Sequence, residues 1–205
     1  PRDVRERGPA TDRTPLAPCV PTPTADRAAF VATGAAVLHG PTANRNLGSG
    51  LAPIAAYRAL GLRVGLGADG APCNNRLSML TEPRQAALVQ ATVAGPGAWP
   101  ATAALHAATA GGATALGLAD DVGSLSVGKR ADRVLVDLDH PTPSPGGDIV
   151  SRLVFAAETA SIRHVMVGGS FCVRDGELTT MDSEGIAKNA DVQLSALLSR
   201  AGLTR

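Results

Sequence analysis

Apolar positions along this chain follow two regimes. In the first half they form short runs bounded by glycine: Ala35 to Leu38 and Arg63 to Leu66 have the pattern of strands buried on both faces. Ala25 to Thr33 reads as a short helix leading into the first of them. Between the two strands, Gly40 to Gly50 is rich in Gly, Asn and Pro and reads as a loop, and Leu51 to Leu60 has helical spacing that stops at Gly61. A strand, loop, helix, strand order favours parallel pairing through right-handed crossovers. Met79 to Ala94 and Pro100 to Ala110 continue as helices, and Gly111-Gly112 marks a break or close packing before the apolar pattern resumes over Ala113 to Leu118.

After Gly123 the period shortens. Ala131 to Leu138 alternates like a strand, and His164 to Val167 and Ser170 to Arg174 read as a hairpin joined by Gly168-Gly169. Ile186 to Leu198 reads as a terminal helix. At the other end, the proline-rich stretch up to Ala25 argues against a long regular element there. The order is an α/β part followed by a β-rich unit.

Composition narrows the partners. With 205 residues and 44% hydrophobic side chains, the chain is too apolar for a disordered protein and long enough for a buried core. Lys and Arg number 19 against 18 Asp and Glu, so the clustered positive charge that nucleic acid or an anionic membrane requires is missing. Neither partner is expected. No apolar run reaches the roughly 18 residues of a spanning helix, and Pro1 to Arg13 lacks the apolar stretch of a signal peptide, so a soluble, cytoplasmic protein is expected. Cys19, Cys73 and Cys172 are widely spaced with no C-x-x-C pair, which points away from a disulfide framework or a zinc knuckle.

The chemistry concentrates around Val64-Gly65-Leu66-Gly67-Ala68-Asp69-Gly70 and the Asn74-Asn75 pair that follows. An acid at the C-terminal end of a buried parallel strand, flanked by glycines, sits where α/β barrels and open sheets place reactive groups. Asp69 could hold a metal or shuttle a proton; Asp-Gly is equally a common turn. The glycines form neither a dinucleotide fingerprint nor a phosphate-binding loop. His39 ends a strand just before the Gly-rich loop, which fits a site-lining role as well as a structural one. His106 lies within a helix, and His140 and His164 belong to the β-rich unit, where structural roles are expected. No two histidines have the spacing of a ligand pair. Cys73 lies close to Asp69 without a nearby base, so packing or pocket lining suits it better than nucleophilic attack.

Three segments in order, Leu38-His39-Gly40-Pro41-Thr42-Ala43-Asn44, Leu47-Gly48-Ser49-Gly50-Leu51-Ala52-Pro53 and Gly65-Leu66-Gly67-Ala68-Asp69-Gly70 with Asn74-Asn75, resemble the amidohydrolase superfamily. The likeness is to the branch of 5-methylthioadenosine/S-adenosylhomocysteine deaminases and their chlorohydrolase and aminohydrolase relatives. Ala131 to Asp139, Val167-Gly168-Gly169 and Met181-Asp182-Ser183-Glu184 agree with it. The resemblance implies the C-terminal half of a (β/α)8 TIM barrel with strands of a composite β-sandwich. On that reading residues 1–122 are a partial barrel segment, 123–180 a sandwich segment with an intervening helix, and 181–205 a C-terminal helix. It also implies a divalent metal, zinc or iron, held by an H-x-H pair after the first barrel strand, a His after the fifth and an Asp after the eighth. Asp69 matches that Asp. His39, Cys73, Asn74 and Asn75 then fall near a small-molecule substrate, a purine-type or related N-heterocycle. A homo-oligomer is expected for the intact enzyme.

The departures set a second expectation. A complete barrel takes about 250 residues, and the H-x-H pair and the strand-five His have no counterpart here. The family's A-H-C-V-H segment stands as Ala17-Pro18-Cys19-Val20-Pro21, with proline, which carries no side-chain donor, in both histidine places. One carboxylate does not make a catalytic zinc site, which takes three protein ligands. The chain is therefore expected to be an incomplete, inactive fragment of a deaminase. The alternatives are a non-catalytic remnant acting through self-association and a triazine-type chlorohydrolase.

Overall fold

The computed structural model describes residues 14–17, 20, 30–139 and 147–203. Three short strands, β1 (Pro15–Leu16), β2 (Ala36–His39) and β3 (Arg63–Leu66), form a parallel sheet in that order. β2 and β3 pair from Ala36 opposite Arg63 to His39 opposite Leu66, and the Gly67 amide extends the ladder by donating to the His39 carbonyl at 3.0 Å. The two strands lie where the short apolar runs predict them. Parallel strands point the same way, so the segments leaving β1, β2 and β3 gather at one rim of the sheet.

Five helices cover this sheet: α1 (Pro41–Asn46), α2 (Ile54–Ala59), α3 (Thr81–Ala94), α4 (Ala101–Ala108) and α5 (Ala110–Ala115). Val37, Val64 and Leu66 from the strands pack with Ile54, Tyr57, Ala86, Trp99 and Ala107 in one core. Burying each of the larger of these side chains is worth roughly 1.5–3 kcal/mol. The opposite alternation, Leu38 beside Gly65, meets α5: a Cβ on Gly65 would come within 3.1 Å of the Gly112 Cα.

One expectation is corrected here and one alternative decided. Gly40 to Gly50 is not a loop throughout, because α1 occupies its first half; Pro41 supplies the fixed φ of a first helical position and its missing N–H costs nothing there. At Gly111-Gly112 the break fails and the other alternative, close packing, holds. The break falls at Thr109 (φ −125°, ψ −102°), and both glycines lie inside α5. Tertiary contact explains them, since a Cβ on Gly111 would stand 2.9 Å from the His106 ring and 3.0 Å from the Val64 carbonyl. Helix-weakening residues are accepted where a backbone must approach this closely.

The β-rich unit is a four-stranded antiparallel sheet, β4 (Arg133–Val136), β5 (Ile162–Val167), β6 (Ser170–Arg174) and β7 (Glu177–Leu178), in chain order. Gly168 (φ 56°) and Gly169 (φ 85°) form the two-residue turn that their position predicts, and Asp175 (φ 52°) with Gly176 (φ 85°) forms a second that adds β7. Between β4 and β5 lies α6 (Ile149–Phe155). The Asp148 carboxylate caps it, accepting from the Ser151 amide at 3.0 Å and from its hydroxyl at 2.6 Å, and these bonds hold the carboxyl below its usual pKa. Val154 of α6 packs on Ala101 and Ala104 of α4, joining the two sheets' surroundings. Asp182 caps the final helix, α7 (Ser183–Arg200), through the Gly185 amide. Among the described residues no helix is long and apolar enough to cross a membrane.

Candidate active site

The segment 67–80, which leaves β3 and reaches α3, is free of helix and strand and brings Asp69, Cys73, Asn74 and Asn75 together. Asp69 takes a left-handed conformation (φ 64°), which a short polar side chain tolerates better than most. Its carboxylate is exposed, and Oδ1 accepts from the Gly70 amide at 2.7 Å. Across the rim, a Cβ on Gly40 would lie 3.9 Å from the Asp69 Cβ and 3.3 Å from the Gly67 carbonyl, so the segments after β2 and β3 close on each other at Asp69. The segment after β1 reaches the same rim: the Val20 Cγ1 is 2.9 Å from where a Gly50 Cβ would stand. Pro18, Cys19 and Pro21 of the proline-substituted motif lie outside the described residues.

The neighbours of Asp69 divide by what they touch. Asn74 is buried, and its amide is committed inward: Nδ2 donates to the Ala68 carbonyl at 2.9 Å and to Glu82 Oε1 at 2.7 Å, while Oδ1 accepts from the Arg76 amide. Asn75 is exposed. Cys73 is half-buried with a free thiol, and its carbonyl accepts from Asn46 Nδ2 at 3.1 Å. His39 goes elsewhere. Its ring stacks on Trp99 at 6.0 Å between centroids, it is 1% exposed, and neither ring nitrogen has a hydrogen-bond partner among the described residues. Burial holds this imidazole neutral, its pKa pushed down to about 4.

Two residues absent from the sequence reading organise the rim from below. Glu82, in the first turn of α3, is fully buried; Oε1 accepts from Asn74 and Oε2 from the Thr42 amide at the start of α1, at 3.2 Å. Gln90, two turns further along α3, accepts from the Ala55 amide at 3.1 Å and donates to the Ala52 carbonyl at 2.8 Å. Nothing in the sequence separates these two from Arg84 and Gln85 of the same helix, because a polar residue in a helix normally faces water.

Among the described residues no group of three or more His, Cys, Asp and Glu side chains could hold a metal ion. Asp69 belongs to no such group, so the described residues do not by themselves fit a catalytic zinc, which takes three protein ligands.

Comparison with known proteins decides the lineage. The profile described as the amidohydrolase family matches residues 4–172, most of the chain. The chain belongs to the amidohydrolase family. It is similar to the 5-methylthioadenosine/S-adenosylhomocysteine deaminase of Desulforudis audaxviator, 42% identical over 174 residues that cover 84% of this chain and 40% of that one. The enzyme of that name from Halobacterium salinarum is likewise 42% identical, over 83% of this chain and 39% of its own. This amidohydrolase therefore spans about two fifths of the length of the curated relatives it matches. Among solved structures, the adenosine deaminase of Xanthomonas campestris with bound zinc superposes with a TM-score of 0.92 at 32% identity, over 97% of this chain and 45% of that one. The zinc-complexed atrazine chlorohydrolase TrzN of Arthrobacter aurescens gives 0.85 at 30% identity, over 93% and 43%. The fold is accordingly that of part of the family's TIM barrel, with the parallel strands as barrel strands and the antiparallel sheet as sandwich strands.

Proposed function

We infer that this amidohydrolase chain is the C-terminal part of a metal-dependent hydrolase that deaminates a purine-type or related N-heterocycle with water. Asp69 is the residue it contributes to catalysis and to the divalent metal, zinc or iron, whose other ligands come from polypeptide outside these 205 residues. That metal supplies an activated water when bound. Within this chain, Asp69 Oδ1 accepts one hydrogen bond, from the Gly70 amide, and the carboxylate's remaining lone pairs are free to accept a proton and hand it to a leaving amine. Asn75 and Cys73 line the substrate's side of the segment; Asn74 acts there through the backbone it holds, and His39 from beneath the rim. Residues 1–122 serve as barrel, 123–180 as sandwich and 181–205 as terminal helix, in a soluble cytoplasmic homo-oligomer that takes a small molecule and neither nucleic acid nor membrane.

One observation carries this reading: an exposed carboxylate in left-handed conformation at the closed rim of a parallel sheet, in a chain 42% identical to deaminases. The test begins with the DNA upstream of the Pro1 codon. An in-frame H-x-H and a His with a nearby acid are expected. The product of that longer frame, loaded with zinc or iron, should release ammonia from methylthioadenosine, S-adenosylhomocysteine or adenosine, and Asp69→Asn should abolish the release. The 205-residue chain alone should bind less than one metal and release none; about one metal per chain with ammonia release would overturn the incomplete-site reading.

The similarity to atrazine chlorohydrolase favours a second reading, displacement of chloride from a triazine ring, for which chloride release in the same assay is the readout. A stop codon directly upstream of Pro1 would instead support a non-catalytic remnant.

A further inference from the structure

Among the described residues Glu82 is the only carboxylate that is buried. A buried carboxylate is costly unless its oxygens are hydrogen-bonded, and both partners of Glu82 belong to the rim that carries Asp69. Oε1 accepts from Asn74 and Oε2 from the Thr42 amide, so one side chain ties the segment after β3 to the segment after β2. Asn74 passes the constraint on, because the same Nδ2 donates at 2.9 Å to the carbonyl of Ala68, the residue before Asp69.

That carbonyl matters for a geometric reason. Asp69 sits at φ 64°, and the direct way for it to relax to negative φ is a flip of the Ala68–Asp69 peptide, which rotates the Ala68 carbonyl away. With the carbonyl held by Asn74, and Asn74 held by Glu82, the flip is blocked and the Asp69 carboxylate keeps its orientation.

We propose that Glu82 is a positioning residue for Asp69, acting through Asn74 on the Ala68–Asp69 peptide and through the Thr42 amide on the facing segment. The inference rests on the proposed role of Asp69, but its test needs neither metal nor substrate. In Glu82→Gln the side chain keeps its shape and loses one acceptor, so its new NH2 must face either the Asn74 NH2 or the Thr42 N–H.

The experiment is amide hydrogen exchange and amide proton shifts on the 15N-labelled 205-residue chain. In Glu82→Gln, exchange at Gly70, whose amide reports the Asp69 carboxylate, should rise about tenfold or more, with a shift of the Gly70 resonance. Val37 and Val64 should keep their protection. In Asn74→Ala, Gly70 should lose protection while Thr42, still bonded to Glu82, retains it. The double variant Asn74→Asp, Glu82→Gln restores a donor and an acceptor between positions 74 and 82 but leaves no donor for the Ala68 carbonyl. Its melting temperature should recover toward that of the parent while Gly70 stays exposed.

An unchanged Gly70 amide in Glu82→Gln or Asn74→Ala, or its recovery together with the melting temperature in the double variant, would overturn the proposal and leave Glu82 a packing element. Should Glu82→Gln fail to fold, Asn74→Ala decides alone. Absence of ammonia release from the longer enzyme would remove the hydrolase reading and leave these exchange results standing.

Discussion

The parallel sheet and the antiparallel sheet are built from similar residues and end in opposite states. Every buried hydrophobic residue among the described ones lies within 30–115, with the single exception of Val154. In β4 to β7 no residue is buried, and Val134, Leu135, Val167 and Leu178 stay exposed, as do Ile186, Val192, Leu194 and Leu197 of α7. Both are hydrogen-bonded into ladders, the antiparallel one with shifts of register between Leu135 and Val136 and between Val165 and Met166. What differs is cover: β2 and β3 have helices against them, whereas one helix, α6, ties the β-rich unit to α4. Ladders fix a sheet's geometry, and apolar burial supplies most of its stability.

The contrast should be visible in single substitutions. Ile54→Ala empties a fully buried site under the parallel sheet and should cost roughly 2–5 kcal/mol in urea unfolding. Acidification should strike the same region. His39 titrates at about 4 when folded against 6.5 when unfolded, so the unfolded chain binds more protons between those values. Stability is complete above pH 6.5, falls as the pH drops toward 4, and changes no further below it, for a loss of about 3 kcal/mol at most. His39→Leu should flatten that part of the urea midpoint against pH; a midpoint with the same slope in the variant would show that other groups carry it. On the side of the β-rich unit, Asp148→Ala removes the α6 cap and should lower the urea midpoint less than Ile54→Ala does, with exchange rising first at the Ser151 amide. Smallest is Leu135→Ala, on an exposed position of β4, expected within about 0.5 kcal/mol of the parent. A large effect there would mean that the β-rich unit is covered in solution.

Strands β2 and β3 were legible because a short apolar run between glycines leaves little else to form. The glycine pair Gly168-Gly169 of the second sheet is legible for the same local reason, whereas the Asp175-Gly176 turn is a signal of the same kind that the pattern of apolar runs does not bring out. The misreading and the open alternative have a common cause in distant partners. α1 looks like a loop because its Pro and Asn content is local, whereas Glu82, which accepts its Thr42 amide, stands 40 positions away. Gly111-Gly112 reads as a break or as close packing, and the Val64 carbonyl pressing on it is what decides between them. At the site, Asp69 is marked by the strand before it and the glycines around it. Glu82 carries no such mark, since a charged residue in the first turn of a helix ordinarily faces solvent, and the burial of His39 depends on Trp99, far along the chain.

Glu82 and Gln90 stand eight positions apart on α3, hence on one face of it. The first grips the start of α1 and the Asp69 segment, and the second grips the backbone on either side of Pro53 at the start of α2. Two helix starts and one irregular segment are thus riveted to one rigid rod. Any shift of that rod would carry them together, so this side of the rim is tuned as a unit, and a change at the far end of α3 can reach the acid without touching it.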